Sequence, residues 1–189
     1  MGRWEPNARG RLELAALELY GEHGYDQTTV AEIAKRAGLT ERTFFRYFAD
    51  KREVLFYGAP ILQGWLVDGI NDAPGGLSPI DVIGAALEAG TRFLGERRDL
   101  ARQRYAIVLA TPELQERELI KLATLATALA DALRGRGVPD PAAPLAAEAG
   151  VAVFKVAFQR WVTSADEDSL AQIIRETMSG LKTMTAGAT

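Results

Sequence analysis

Between Glu41 and Lys51 the chain reads Glu-Arg-Thr-Phe-Phe-Arg-Tyr-Phe-Ala-Asp-Lys, residue types that suit recognition of a nucleic-acid duplex. An arginine can hold both acceptors of a guanine edge, a glutamate can accept from a cytosine amino group, and an aromatic ring can rest on a thymine methyl. At about 100° per residue, Arg42, Phe45 and Arg46 fall on one side of a helix, flanked by Glu41 and Thr43. Phe44, Tyr47 and Phe48 fall on the other side and can pack inward. Thr43, Tyr47 and Lys51 are better placed for phosphate oxygens, contacts that position a protein without reading sequence. The plainer reading of this periodicity is an amphipathic hairpin with a solvated charged face.

A recognition helix needs a partner that fixes its angle, and the preceding residues supply one. Thr29 has Glu32 three residues on, the spacing of a reciprocal capping box that satisfies two N–H groups at a helix start. Val30, Ile33, Ala34 and Ala37 then recur at helical spacing, which predicts one buried face. Gly38 is placed to end that helix in the left-handed conformation. Leu39 can plug the corner, and Thr40 can cap the next helix. Residues 29–48 therefore read as a helix-turn-helix. The caps Thr29 and Thr40 join Glu41, Arg42, Thr43, Phe45, Arg46, Tyr47 and Lys51 as the candidate DNA-contacting set.

At these residues the chain resembles the TetR-type (TetR/AcrR-like) transcriptional regulators. The resemblance rests on Tyr20-Gly21-Glu22-His23-Gly24-Tyr25, then Thr28-Thr29-Val30, Ile33-Ala34, Ala37-Gly38-Leu39-Thr40, Thr43-Phe44-Phe45-Arg46-Tyr47-Phe48 and Lys51. It covers about the first third of the chain. It implies an all-α fold: a three-helix DNA-binding domain over residues 1–56, then a helical bundle of five to six helices over 57–189 for ligand binding and dimerisation. It also implies a cytoplasmic homodimer that represses transcription and leaves a palindromic operator when a small-molecule effector binds. Phe45 stands where many members have a tyrosine, which implies loss of a phosphate hydrogen bond. Ala31 stands where several have a basic residue, which implies a smaller contribution from that helix.

Composition is compatible with this and excludes other classes. The chain has 189 residues, 48% hydrophobic and 25% charged, ordinary values for a globular protein. It has no cysteine and one histidine, so thiolate metal sites are excluded and a lone His23 lacks partners for catalysis or metal binding. No nucleophile–base pair, metal-spaced cluster or phosphate-cradling glycine loop is evident, so neither an enzyme nor a cofactor is expected. No signal pattern or membrane-spanning run stands out either. The net charge of −3 looks unfavourable for a DNA binder. Residues 1–56, however, balance nine Lys/Arg against nine Asp/Glu, with Arg42, Arg46, Lys51 and Arg52 clustered together. That neutrality predicts modest non-specific affinity, and it argues against a sequence-indifferent architectural binder.

The rest of the chain reads as helices. Residues 1–7, with Arg3 and Trp4, form a terminal arm, and Arg9–Glu22 a first helix. Asp50 is expected to cap a helix starting at Lys51 and running past Pro60 to Trp65. Asp72 to Gly76 is a loop, and Ser78-Pro79 restarts a helix. A long helix follows Thr111-Pro112, lined by Leu114, Leu119, Leu122, Leu125, Leu129 and Leu133. The last two helices, about 142–163 and 168–184, carry apolar stripes that can pair with their twins in a four-helix interface. Trp65, Phe93, Tyr105, Phe154, Phe158 and Trp161 are the aromatic candidates for an effector cavity. Nothing in the sequence names the ligand.

Overall fold

The computed structural model describes residues 8–166 and 168–187, and the side chains of all of these except Arg92, Phe93 and Glu96. The candidate Phe93 and the terminal residues Arg3 and Trp4 thus lie outside the described set. Among the described residues there are nine α-helices and no strand. They are α1 (Ala8–His23), α2 (Val30–Arg36), α3 (Glu41–Tyr47), α4 (Ala59–Asp72), α5 (Pro79–Gly90), α6 (Arg98–Ala110), α7 (Pro112–Gly135), α8 (Ala142–Thr163) and α9 (Leu170–Ala186). Two 3-10 turns, Glu53–Phe56 and Arg92–Arg97, interrupt the series. The expected all-α fold, a helix-turn-helix followed by a six-helix C-terminal part, is the observed one.

The helices group into two compact units. One comprises Met1–Gly58 with Arg102–Glu118, and the other Ala59–Ala101 with Leu119–Thr189. A division of the sequence at 56/57 leaves Arg102–Glu118 with the C-terminal part. In the structure that stretch belongs to the N-terminal unit, tied by ion pairs to Arg52 and Glu53 and by a hydrogen bond to the Leu55 carbonyl.

In the first unit, α1 packs on α2 and on the 3-10 turn. Leu12, Ala15, Ala16, Leu19 and Tyr20 of α1, Ile33 and Ala34 of α2 and Phe44 of α3 are buried. The helix expected from Lys51 does not form. Asp50 Oδ1 instead accepts from the backbone N–H groups of Arg52 and Glu53, which starts a 3-10 turn. The α-helix begins only at Ala59, with Pro60 in its first turn. Proline has no N–H to donate and its ring clashes with the carbonyl four residues back. The helix therefore restarts at the proline instead of running through it.

In the second unit, α5 is the central helix, packed against α4, α8 and α9. One close approach is at Gly150 of α8. A Cβ there would lie 2.3 Å from Cγ2 of Ile83, so only glycine fits this crossing. Val153, Phe154, Ala157 and Trp161 of α8 and Ile173, Ile174 and Met178 of α9 complete the core. By length and composition α8 is apolar enough to cross a membrane. Ten of its residues between Ala143 and Val162 are buried in the core of this unit, which accounts for that apolarity. Arg98 ties α6 to the end of α8: its guanidinium donates to the carbonyls of Trp161 at 2.7 and 3.0 Å, of Ser164 at 3.0 Å and of Asp166 at 2.6 Å. The stripe expected along α7 is only partly buried: Leu114, Leu125, Leu129 and Leu133 are inside, but Leu119 is 59% exposed.

Gly150→Ala is expected to destabilise the protein by about 1–3 kcal/mol through overpacking. Ile83→Ala removes the opposing methyl, so thermal unfolding of the double variant should show a favourable coupling between the two sites. Strict additivity would mean that the crossing relaxes elsewhere.

Candidate nucleic-acid interface

The helix-turn-helix is built from local signals that all agree. Thr29 N donates to Glu32 Oε2 at 2.8 Å, and Glu32 N donates to Thr29 Oγ1 at 3.2 Å, which closes the capping box. The backbone bond from Thr29 is the main reason the Glu32 carboxyl lies below the usual glutamate range. At the other end of α2, Gly38 adopts φ 66°. Leu39 N donates to Ala34 O at 2.8 Å and Gly38 N to Lys35 O at 3.0 Å, the paired bonds of a Schellman ending. Thr43 N donates to Thr40 Oγ1 at 3.2 Å, capping α3.

Two devices then fix α2 and the end of α3 against α1. Arg36 holds Glu22 in a bidentate pair, at 2.8 and 3.0 Å, and reaches Glu18 at 3.1 Å. The hydrogen bond from Arg36 is the chief cause of the lowered Glu22 pKa. Lys51 makes the second device. Its ammonium donates to the carbonyls of Tyr25 at 2.8 Å, Thr28 at 3.0 Å and Asp26 at 3.4 Å, and sits 4.3 Å from the Tyr25 ring centroid. Tyr20 Oη returns the tie by donating to Lys51 O at 2.7 Å. Burial raises the Tyr20 pKa, and it also lifts Tyr25, to about 12, so both rings stay neutral at any physiological pH.

The predicted DNA-contacting residues all lie in the first unit. Thr29, Thr40, Glu41, Arg42, Phe45 and Arg46 are exposed, and Thr43, Tyr47 and Lys51 are half-buried. Phe45 is 55% exposed although its ring stands edge-on to the buried Phe44, 5.4 Å away. Lys51 is placed differently from the rest, because all of its donors point at the α1–α2 corner.

Sequence reasoning missed the ion pairs behind this face. Arg52 pairs with Asp50 at 2.5 Å and with Glu113 at 3.0 Å, Arg117 with Glu53 at 2.5 Å, and Arg104 with Glu118 at 2.5 Å. Arg104 Nε also donates to Leu55 O at 2.6 Å. For Asp50, burial raises the pKa, but hydrogen bonds from Arg52 and from two backbone N–H groups outweigh it and leave the carboxyl below its ordinary value. No spacing rule links residues 52 and 53 to 113 and 117, so nothing in the sequence signals the Arg52–Glu113 and Arg117–Glu53 pairs.

The aromatic candidates do not form one group. Tyr105 belongs to the first unit, and Trp65, Phe154, Phe158 and Trp161 to the second. Trp65 is 41% exposed, whereas Trp161 is fully buried. Phe158 lies 5.7 Å from Phe154 and 5.8 Å from Trp161, a ladder along one side of α8. Among the described residues no group of three acidic, histidine or cysteine side chains is arranged to hold a metal ion.

A capped helix-turn-helix with an exposed, arginine-bearing second helix, followed by an all-helical C-terminal part, defines a class of bacterial regulator. Residues 14–57 match the model for bacterial regulatory proteins of the tetR family, and residues 77–186 match that of the MftR C-terminal domain. The chain belongs to the tetR family. It is 33% identical over 119 residues to a Mycobacterium tuberculosis protein assigned as the mycofactocin biosynthesis transcriptional regulator MftR, over 61% of this chain and 58% of that one. It is 35% identical over 91 residues to the transcriptional regulator TcmR of Streptomyces glaucescens, over 48% of this chain and 39% of that one. The matched stretch thus spans less than two thirds of these relatives. Solved structures share the fold across nearly the whole chain. A TetR-family protein of Syntrophomonas wolfei has a TM-score of 0.69 at 17% identity, covering 96% of both chains. The Bacillus subtilis regulator FadR, in complex with stearoyl-CoA, has a TM-score of 0.61 at 20% identity, covering 91% of this chain and 96% of that one.

Lys51→Met should lower the stability of the DNA-free protein by roughly 1–3 kcal/mol, through loss of charge-assisted hydrogen bonds to part-buried carbonyls, as read by thermal unfolding. A stability equal to wild type, with only DNA binding reduced, would assign Lys51 to phosphate contact alone.

Proposed function

We propose that the chain is a homodimeric transcriptional repressor that binds a palindromic operator through α3 and is released by a small-molecule effector held in its C-terminal part. The observation that carries this reading is the exposed face of α3, where Glu41, Arg42, Phe45 and Arg46 stand on a helix capped at its start and braced from behind. The candidate contacts remain Thr29, Thr40, Glu41, Arg42, Thr43, Phe45, Arg46, Tyr47 and Lys51, with Lys51 acting mainly by holding the corner. Family membership supports the regulator class, and the match of residues 77–186 to an MftR-type domain supports an effector-responsive second half.

Dimerisation through α8 and α9 is supported by their exposed residues. Leu145 and Val156 are 66% and 57% exposed. They are eleven residues apart, about three helical turns, so they share a stripe with Ala149, Ala152, Gln159 and Thr163. Met184 of α9 is 76% exposed. A smooth stripe of this kind suits an isologous contact with its own copy. A dimer also meets the requirement for two recognition helices about 34–36 Å apart on a two-fold operator. Val156→Glu is expected to convert the dimer to monomer in sedimentation equilibrium and to lower operator affinity by more than tenfold. A dimer that survives this substitution would move the interface elsewhere.

The effector and the operator should oppose one another reciprocally, because each shifts the same conformational equilibrium. Of the aromatic candidates, Trp65, Phe154, Phe158 and Trp161, all in the second unit, are the proposed contacts. Fatty acyl-CoA thioesters head the screen, since solved structures of this fold from Thermus thermophilus and Bacillus subtilis are complexes with lauroyl-CoA and stearoyl-CoA. The test is operator binding by fluorescence anisotropy, first against scrambled duplex and then with candidate effectors. A ligand that binds the dimer should weaken operator binding, and operator should weaken ligand binding by the same factor. A ligand that binds tightly yet leaves operator affinity unchanged would exclude it as the inducer.

A further inference from the structure

The arginines near α3 are held in two different ways, and the difference separates two kinds of contact. Arg46 is folded back on its neighbour: its guanidinium carbon lies 4.8 Å from the Tyr47 ring centroid, and Nη2 donates to Tyr47 Oη at 3.1 Å. Arg9, in the first turn of α1, brings a second guanidinium to the same ring at 5.3 Å, and lies 5.7 Å from the ring of Tyr57. Tyr57 is seated edge-on to the buried Phe48, with 6.3 Å between centroids. Both guanidiniums are within cation–π range, about 6 Å. Neither forms an ion pair with a carboxylate among the described residues. Two positive groups on one ring repel each other, and a shared anion would relieve that repulsion. Because Tyr47 Oη accepts from Arg46, its own hydrogen is left to donate.

We propose that Arg9, Arg46 and Tyr47 together form a binding site for one backbone phosphate of each operator half-site, which leaves base reading on α3 to Glu41, Arg42 and Phe45. This rests on the regulator reading given above. Two guanidiniums and a phenol hydroxyl with its hydrogen still to donate lie around the Tyr47 ring, and a phosphodiester offers only acceptors. The planar guanidinium fork suits its two free oxygens. Helical periodicity places Arg46 beside the base-reading residues, but its side chain lies along Tyr47. Arg9 is outside the helix-turn-helix, and sequence spacing gives no reason to include it.

The experiment uses the full chain and an operator recovered by it from a random duplex library. Arg9→Gln and Arg46→Gln should each weaken binding about tenfold at about 0.15 M salt, equally on operator and scrambled duplex, and each should reduce the salt slope by about 1. Arg9→Lys should keep the slope. The ranking of single-base operator variants should be unchanged in all three proteins. A second measurement needs no protein variant: replacing one phosphate per half-site with an uncharged methylphosphonate should weaken wild-type binding, and at that position Arg9→Gln and wild type should bind alike. The proposal is overturned if Arg46→Gln changes the preference at one base pair, if Arg9→Gln alters neither affinity nor slope, or if no methylphosphonate position cancels the Arg9 effect. A wild-type chain that recovers no preferred duplex would overturn the regulator reading itself, and this site with it.

Discussion

Where α1 turns toward α2, the carbonyls of Tyr25, Asp26 and Thr28 have no helical N–H to accept from, and the Lys51 ammonium satisfies them. Backbone acceptors left unpaired away from water carry a large free-energy penalty. One side chain from beyond α3 thus ties the corner, beside the Thr28 N–H that donates to Tyr25 O at 3.3 Å. The tie runs both ways, since Tyr20 of α1 donates to the Lys51 carbonyl. Thr28 adds a third bond, its Oγ1 donating to Gly24 O at 2.8 Å. The angle of α3 relative to α1 follows from this closure as much as from the apolar contacts of Phe44 and Ile33. A lysine that looks from sequence like a phosphate ligand is, in the folded chain, part of what orients the recognition helix.

The features that could be read in advance are those encoded within a few residues of chain. The Thr29–Glu32 box, the Gly38 ending and the Thr40 cap each depend on spacings of three or four residues, and all three are present. The same holds for Ser78 capping α5, with Pro79 in its first turn. What could not be read depends on distant partners. The start of α4 cannot be read from Asp50, because a 3-10 turn and an α-helix share that N-terminal signal, and only the position of Pro60 separates them. Leu119 has the right periodicity for a buried stripe, but burial depends on whether another helix arrives at that turn. For the candidate site, exposure of Arg42 and Phe45 followed from helical phase. The side-chain placement of Arg46 and the approach of Arg9 depend on the fold around Tyr47 and Tyr57.

A near-neutral N-terminal region can still present a positive face, because the charges are not paired evenly. Arg36 is matched by Glu18 and Glu22, Arg52 by Asp50 and Glu113, Arg104 by Glu118, and Arg117 by Glu53. These pairs cancel locally, and solvent screens what remains of their field. Arg9, Arg42 and Arg46 form no such pair among the described residues, so their charge is available to a polyanion. Net charge counts all of these residues alike, whereas the field at a surface depends on which of them lack a counter-charge. The pairing has a structural consequence as well: Glu113 with Arg52 and Glu53 with Arg117 bind the stretch Arg102–Glu118 to the turn that follows α3.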